Sequence, residues 1–333
     1  MRKLFLFVLC CMPLFACATA KSVPVSAKAS SPALHEVKHV KVAEGVALEV
    51  LDFGGQGPAL VFLAGGGDTG HMFDTFAPEF TATHHVYSVT RRGVGSSSWP
   101  AQGYDTATLS ADVVGVLDGL GLAKTSLAGH SIAGPEITWV ATHYPERVEK
   151  VVYLDPNTDG DIIADVLKTV PVPKPREPAP EEVVTRAMVA ASASRSVGGA
   201  VPEHEIDEGA VFDAKTGRYL RDRALPDLIE QLRMGVLKLD YADVRAPVLF
   251  IYTGFPKDER PDSFPGFATL TPAQQETLRA IQPRKVQRDA ELEGLMANRP
   301  NWKGVELKDA GHYVWFTNRD EVLREMKAFL GTP

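Results

Sequence analysis

Apolar residues in this chain fall into short continuous runs, separated by stretches with helical spacing. Runs at residues 37–42, 46–53, 59–63, 85–89, 125–128, 148–154, 246–252 and 304–307 read as strands. The first two are joined at a glycine turn. Residues 105–120 place Leu109, Val113, Val116 and Leu117 on one helical face, and further helices are expected over 132–143, 272–281 and 318–330. Buried strands alternating with amphipathic helices indicate an α/β fold, a mostly parallel sheet with helices on both faces. Between 156 and 244 no buried-strand run appears; helical stretches at 179–191 and 225–237 are interrupted by a Pro-rich segment at 170–180. The simplest organisation is a core built from 35–155 and 245–333, with 156–244 inserted as a mainly helical cap over the sheet end where loops gather.

The N-terminus follows a different rule. Arg2 and Lys3 precede an apolar run over 4–15, and small residues end it at Ala18-Thr19-Ala20. That is the pattern of a secretory signal over 1–20, too short to cross a bilayer, which takes about 20 apolar residues. The expected location is periplasmic or extracellular. Leu14-Phe15-Ala16-Cys17 also resembles a lipobox, in which Cys17 would carry a lipid anchor, the only membrane contact expected. All three cysteines, Cys10, Cys11 and Cys17, lie in this segment, so a chain cleaved after Ala20 has no cysteine nucleophile, thiolate metal site or disulfide. Residues 21–34 read as a flexible tether.

Composition narrows the classes. With 44% hydrophobic and 23% charged residues the 333-residue chain has the make-up of a globular protein, and its 28 Gly and 24 Pro follow no repeat. A formal net charge of −7 argues against a nucleic-acid partner. No HExxH or paired-histidine spacing appears, so neither metal nor cofactor is expected.

The chemistry concentrates at Gly129-His130-Ser131-Ile132-Ala133-Gly134, between an expected strand and helix. A serine at such a bend is held in a tight turn with its hydroxyl exposed, and flanking small residues are needed where backbone segments approach closely. The helix behind it offers free N–H groups to negative charge forming beside Ser131. A serine hydroxyl needs a base. His143 lies on the outgoing helix and His204 in the cap, whereas His312 follows the last strand, at the same sheet end as Ser131.

These motifs resemble the α/β-hydrolase family, over roughly 36–155 and 245–330. Ala64-Gly65-Gly66-Gly67 stands where the family has its oxyanion loop, and Arg92-Gly93-Val94-Gly95-Ser96 is similar to the R-G-x-G-x-S turn. The chain departs from the pattern at Ala64 and Ala133. The resemblance implies an oxyanion hole from the backbone N–H groups of Gly66 and Ile132. It implies an acid that orients His312. Two positions compete: Asp155, which ends an apolar strand, and Asp258, one residue late in Gly254-Phe255-Pro256-Lys257-Asp258. Asp155 is favoured. His71 and Phe73 are candidate pocket residues, while Glu136 and Trp139 read as packing and surface.

The expected function is a secreted serine hydrolase acting on a small-molecule carboxylic ester, with Ser131 as nucleophile. Dehalogenase and epoxide hydrolase chemistry is disfavoured, because those branches carry aspartate where Ser131 stands. The alternative is a non-catalytic member of the same fold that binds a ligand or partner.

Overall fold

The computed structural model describes residues 35–170, 184–254 and 267–331. The signal, the tether, Cys17, Asp258 and nearly all of the Pro-rich segment lie outside them. Ten strands and nine α-helices are seen among the described residues. Eight strands form one sheet in the order β1-β2-β4-β3-β5-β6-β9-β10. β1 (Glu36–Ala43), β2 (Val46–Gly54) and β4 (His85–Val89) pair antiparallel. From β4 onward all neighbours are parallel: β3 (Ala59–Leu63), β5 (Thr125–His130), β6 (Val148–Leu154), β9 (Val248–Tyr252) and β10 (Trp302–Glu306).

The burial pattern explains the order. β3 and β5 are buried at every position, as central parallel strands covered on both faces must be. β1 alternates exposed charged residues with few apolar ones and sits at the edge. Side chains alternate between faces, so the sheet divides the core. One face packs α1 (Thr106–Gly119) and α2 (Ala133–His143) through Val113, Val116, Leu117, Ile137 and Val140. The other packs α9 (Arg319–Leu330) and an aromatic group of Phe62, Phe73, Phe76, Phe80 and Trp315. Each large side chain buried here contributes roughly 1.5–3 kcal/mol. Asp105 caps α1 by accepting from the Thr108 N–H.

Between β6 and β9 the chain leaves the sheet and forms α3 (Gly160–Leu167), α4 (Arg186–Val197), α5 (Glu203–Gly209), a hairpin of β7 (Ala210–Phe212) and β8 (Tyr219–Asp222), and α6 (Leu228–Met234). The hairpin adds two short strands to an insertion expected to be mainly helical. Its strands are short and largely exposed, so no buried apolar run announces them. One correction concerns α7, which runs over Pro272–Asn298 instead of stopping at 281. The helix passes through Pro283. The first half of α7 packs Leu278 and Ile281 against Ile162 and Val166 of α3. α8 (Val314–Thr317) is a single turn between β10 and α9.

Candidate active site

β5 ends at His130 and α2 starts at Ala133, leaving two residues to turn the chain. Ser131 takes φ +55°, the left-handed region that a residue with a Cβ occupies under strain. Hydrogen bonds hold it there. Its N–H donates to the Leu154 carbonyl at 3.2 Å, and its carbonyl accepts from the N–H groups of Gly134 (2.9 Å) and Asn157 (2.8 Å). The small neighbours are required by close approach. A Cβ on Gly129 would lie 2.9 Å from Ile137 Cδ1 and 3.0 Å from the Ala133 carbonyl, and one on Gly134 would lie 2.6 Å from Pro156 Cβ. α2 has no side-chain cap; the Gly134 N–H is taken by the Ser131 carbonyl and Pro135 has none, so the helix start presents the N–H groups of Ile132 and Ala133 and the positive end of its dipole beside Ser131.

His130 and Leu154 are register partners, so Ser131 and Asp155 follow the ends of neighbouring strands. Asp155 also has positive φ, +44°. Its Oδ1 accepts from the N–H and Oγ1 of Thr253, at 2.9 and 3.1 Å, just beyond β9. Its Oδ2 lies 2.7 Å from His312 Nδ1. A carboxylate on Nδ1 places the imidazole proton there and leaves Nε2 as a lone pair for a reacting proton.

His130 buttresses that imidazole from below. The two rings meet at 45° with centroids 4.4 Å apart, and His130 Nε2 donates to the His312 carbonyl at 3.2 Å. Burial, reinforced by the charges of His312 and Arg91, holds the His130 imidazole far below its ordinary range, so it stays neutral.

The glycine loop after β3 lies against this pair. A Cβ on Gly65 would sit 2.7 Å from His130 Nδ1 and 2.9 Å from Asp68 Oδ2. The Cβ direction of Gly66 instead faces apolar side chains, Ile229 Cδ1 at 3.4 Å, Ile132 Cγ2 at 3.6 Å and Leu232 Cδ1 at 3.8 Å. Gly66 and Ile132, the two expected oxyanion donors, are therefore neighbours. Arg91 anchors the loop from behind: its guanidinium donates to the carbonyls of Gly65 (2.8 Å) and Ala64 (3.0 Å) and to Glu136 Oε1 (2.9 Å). Burial pushes the Asp68 carboxyl up to about 6, against the opposing pull of the Tyr313 hydroxyl, which donates to it at 3.2 Å.

The sequence profile described as the Alpha/beta hydrolase family matches residues 60–325. The chain belongs to the α/β-hydrolase family. Among curated relatives, 3-oxoadipate enol-lactonase 2 of Acinetobacter baylyi is 33% identical over 122 residues, which span 36% of this chain and 45% of that one. The chain thus spans less than half the length of the curated relatives it first matches. Among solved structures, E-2-(acetamidomethylene)succinate hydrolase superposes with TM-score 0.64 at 19% identity, covering 90% of this chain and all of that one. Carboxylesterase CesB of Bacillus subtilis gives 0.55 at 18% identity, with coverages of 91% and 94%. At such identities the likeness is one of fold.

Other sequence candidates in this α/β-hydrolase chain fall elsewhere. Phe73 is a core residue against Phe62 and Trp315, not a pocket wall. Glu136 is a buried partner of Arg91, and Trp139 stacks on His143. Arg91 escaped the sequence reading altogether. Its only signal was position, first in the Arg91-Arg92-Gly93 turn after β4, and its partners are 26 to 45 residues away. His71 is buried and, with His35 and His204, surrounds Asp74. The grouping is built from positions 35, 71, 74 and 204, whose spacing matches no linear motif.

Proposed function

We propose that the chain is an exported serine hydrolase that cleaves small or medium carboxylic esters through an acyl-enzyme on Ser131. The observation that carries this reading is the 2.7 Å contact between Asp155 Oδ2 and His312 Nδ1, at the strand end beside the strained Ser131 turn. Ser131 Oγ attacks the ester carbonyl carbon while His312 Nε2 takes its proton. The carbonyl π pair moves to oxygen, where the N–H groups of Ile132 and Gly66 receive it; one such donor is worth about 10²–10³ in rate. Collapse expels the alcohol, protonated by His312. Water then repeats the sequence on the acyl-enzyme, losing its proton to His312 and releasing the acid. Asp155 orients His312 and steadies the imidazolium.

Ile229 and Leu232 of α6, facing Gly66, favour an acyl group with an apolar body. The cap over 156–244 supplies that wall. The enol-lactonase relative supports an ester-type carbonyl, open or cyclic. Serine at position 131 disfavours the alkyl-enzyme chemistry of an aspartate nucleophile. The N-terminal pattern supports export, with Cys17 as the alternative lipid-bearing residue.

A fluorophosphonate probe tests the reading. The chain is expected to be labelled at Ser131, with labelling abolished in Ser131→Ala and His312→Ala. A folded chain that resists the probe and hydrolyses no p-nitrophenyl ester would favour the non-catalytic alternative.

A further inference from the structure

Apart from the serine site, the fold collects three imidazoles around one carboxylate. His35 precedes β1, His71 lies in the 3₁₀ turn Gly70–Phe73, Asp74 closes that turn, and His204 comes from α5. One ligand-type atom from each lies within 4.8 Å of all the others. Asp74 is the hub: Oδ1 is 3.2 Å from His35 Nε2, and Oδ2 is 3.2 Å from His71 Nδ1 and 2.9 Å from His204 Nδ1. We infer that His35, His71, Asp74 and His204 form a closed site for a divalent transition-metal ion of the zinc class, which staples the inserted helix α5 to the core beside the glycine loop.

A tetrahedron with metal–ligand bonds of about 2.0–2.1 Å has edges of about 3.3 Å. His71 Nδ1 and His204 Nδ1 stand 3.2 and 2.9 Å from Asp74 Oδ2, His35 Nε2 stands 3.2 Å from Oδ1, and the four ligand atoms lie within 4.8 Å of one another, so a bound ion would draw them inward. A hydrogen-bonded cluster without metal leaves one member unsatisfied. His35 Nε2 approaches Asp74 Oδ1 without the alignment of a hydrogen bond, and both ring nitrogens of His35 are buried with no hydrogen-bond partner among the described residues. Buried polar atoms are seldom left so. A cation centred among the four would supply the missing partner.

Burial agrees. The side chains of His35, His71 and Asp74 are 5%, 5% and 1% exposed, whereas that of His204 is 53% exposed and leaves a route from solvent. Three nitrogens and one oxygen suit zinc, copper or nickel better than magnesium or calcium, which take oxygen ligands. Four protein ligands complete a tetrahedron, the arrangement of a structural ion without an open position for substrate. The consequence reaches the glycine loop, because the next residue of α5, Glu205, accepts from both the N–H and the hydroxyl of Thr69.

The test is a zinc titration of the tag-free, chelator-stripped full chain against a chromophoric competitor. It does not depend on hydrolase activity. One equivalent of zinc is expected per chain, with a rise in thermal midpoint on saturation and no competition from millimolar magnesium. His204→Ala, at an exposed position, is expected to keep the native circular dichroism and to lose roughly 100-fold or more in affinity, at or beyond the upper end of what an outer-shell partner is worth. His143→Ala, at an exposed histidine elsewhere, is expected to bind as the parent does. Absence of saturable one-to-one binding, or equal binding by folded His204→Ala, overturns the proposal.

Discussion

Arg91 and Glu136 face each other at 2.8 Å in the interior, joining the glycine loop to the helix that begins behind Ser131. Burial pushes the Glu136 carboxyl up and the Arg91 charge opposes it, so each half of the pair is tolerable only because of the other. Removing Arg91 alone as Arg91→Met leaves a buried carboxylate and two free loop carbonyls. The expected cost is about 3–5 kcal/mol in urea unfolding. The double variant Arg91→Met/Glu136→Leu is expected to recover much of that stability. Its kcat on a p-nitrophenyl ester stays low, because the Ala64 and Gly65 carbonyls have still lost their anchor. Recovery of both quantities together would show that Arg91 serves stability alone.

The acid assignment separates two carboxylates by rate. Asp155→Asn keeps the acceptor for Thr253 and suits the positive φ, so the fold is expected to survive. Its amide would hold His312 in the wrong tautomer, and kcat is expected to fall by about 10⁴, the loss found for the equivalent change in a serine protease. Asp258→Asn is expected to keep near-parental turnover. The reverse pattern in steady-state assays would assign the acid to Asp258.

Adjacent glycines in the loop predict opposite outcomes. In Gly65→Ala the new methyl would press on His130 Nδ1 and Asp68 Oδ2 at 2.7 and 2.9 Å, and neither is the end of a flexible chain. The loop must move, with an expected loss of about 10²–10³ in kcat, comparable to that of an oxyanion donor. In Gly66→Ala the methyl meets only apolar side-chain ends at 3.4 Å or more, and the N–H is retained. Turnover within about threefold of the parent is expected there. Equal losses at both positions would remove the steric argument.

The parts of this molecule that were legible in sequence share one property: their environment is set by local pattern. β3, β4 and β6 match the apolar runs residue for residue, because strands covered on both faces are dominated by apolar positions, with only His85, Ser88, Glu149 and Lys150 interrupting them. Asp155 stood out as a carboxylate ending such a run. The unreadable parts depend on remote partners. α7 fully buries only Leu278, Ile281, Arg288 and Leu292 over its length, so its packed apolar positions past Pro283 are confined to Leu292, Leu295 and Met296 at its end. Between them Arg288 ties the helix to the fold, donating to the Thr158 carbonyl at 2.6 Å and reaching Asp161 at 3.3 Å. Arg91 and the group around Asp74 were hidden for the same reason, since each joins segments that meet only in the folded chain.

Asp68 carries the last prediction, one of pH. Burial raises its carboxyl to about 6, against an unfolded value near 3.9. The folded state therefore holds this proton more tightly than the unfolded chain does. The resulting stability is fully present below about pH 4 and is lost as pH rises through about 6. Asp68→Asn keeps an acceptor for the Tyr313 hydroxyl but cannot ionise. Relative to the parent, its thermal midpoint is expected to rise progressively between pH 4 and 7, and the remaining titrations largely cancel in that difference. Glu205 is also pushed up, partly by the Asp68 charge, and that contribution has the same sign. A midpoint difference that is flat across this range would mean that Asp68 is ionised in the folded protein well below pH 6, with its charge compensated by His130 or His312.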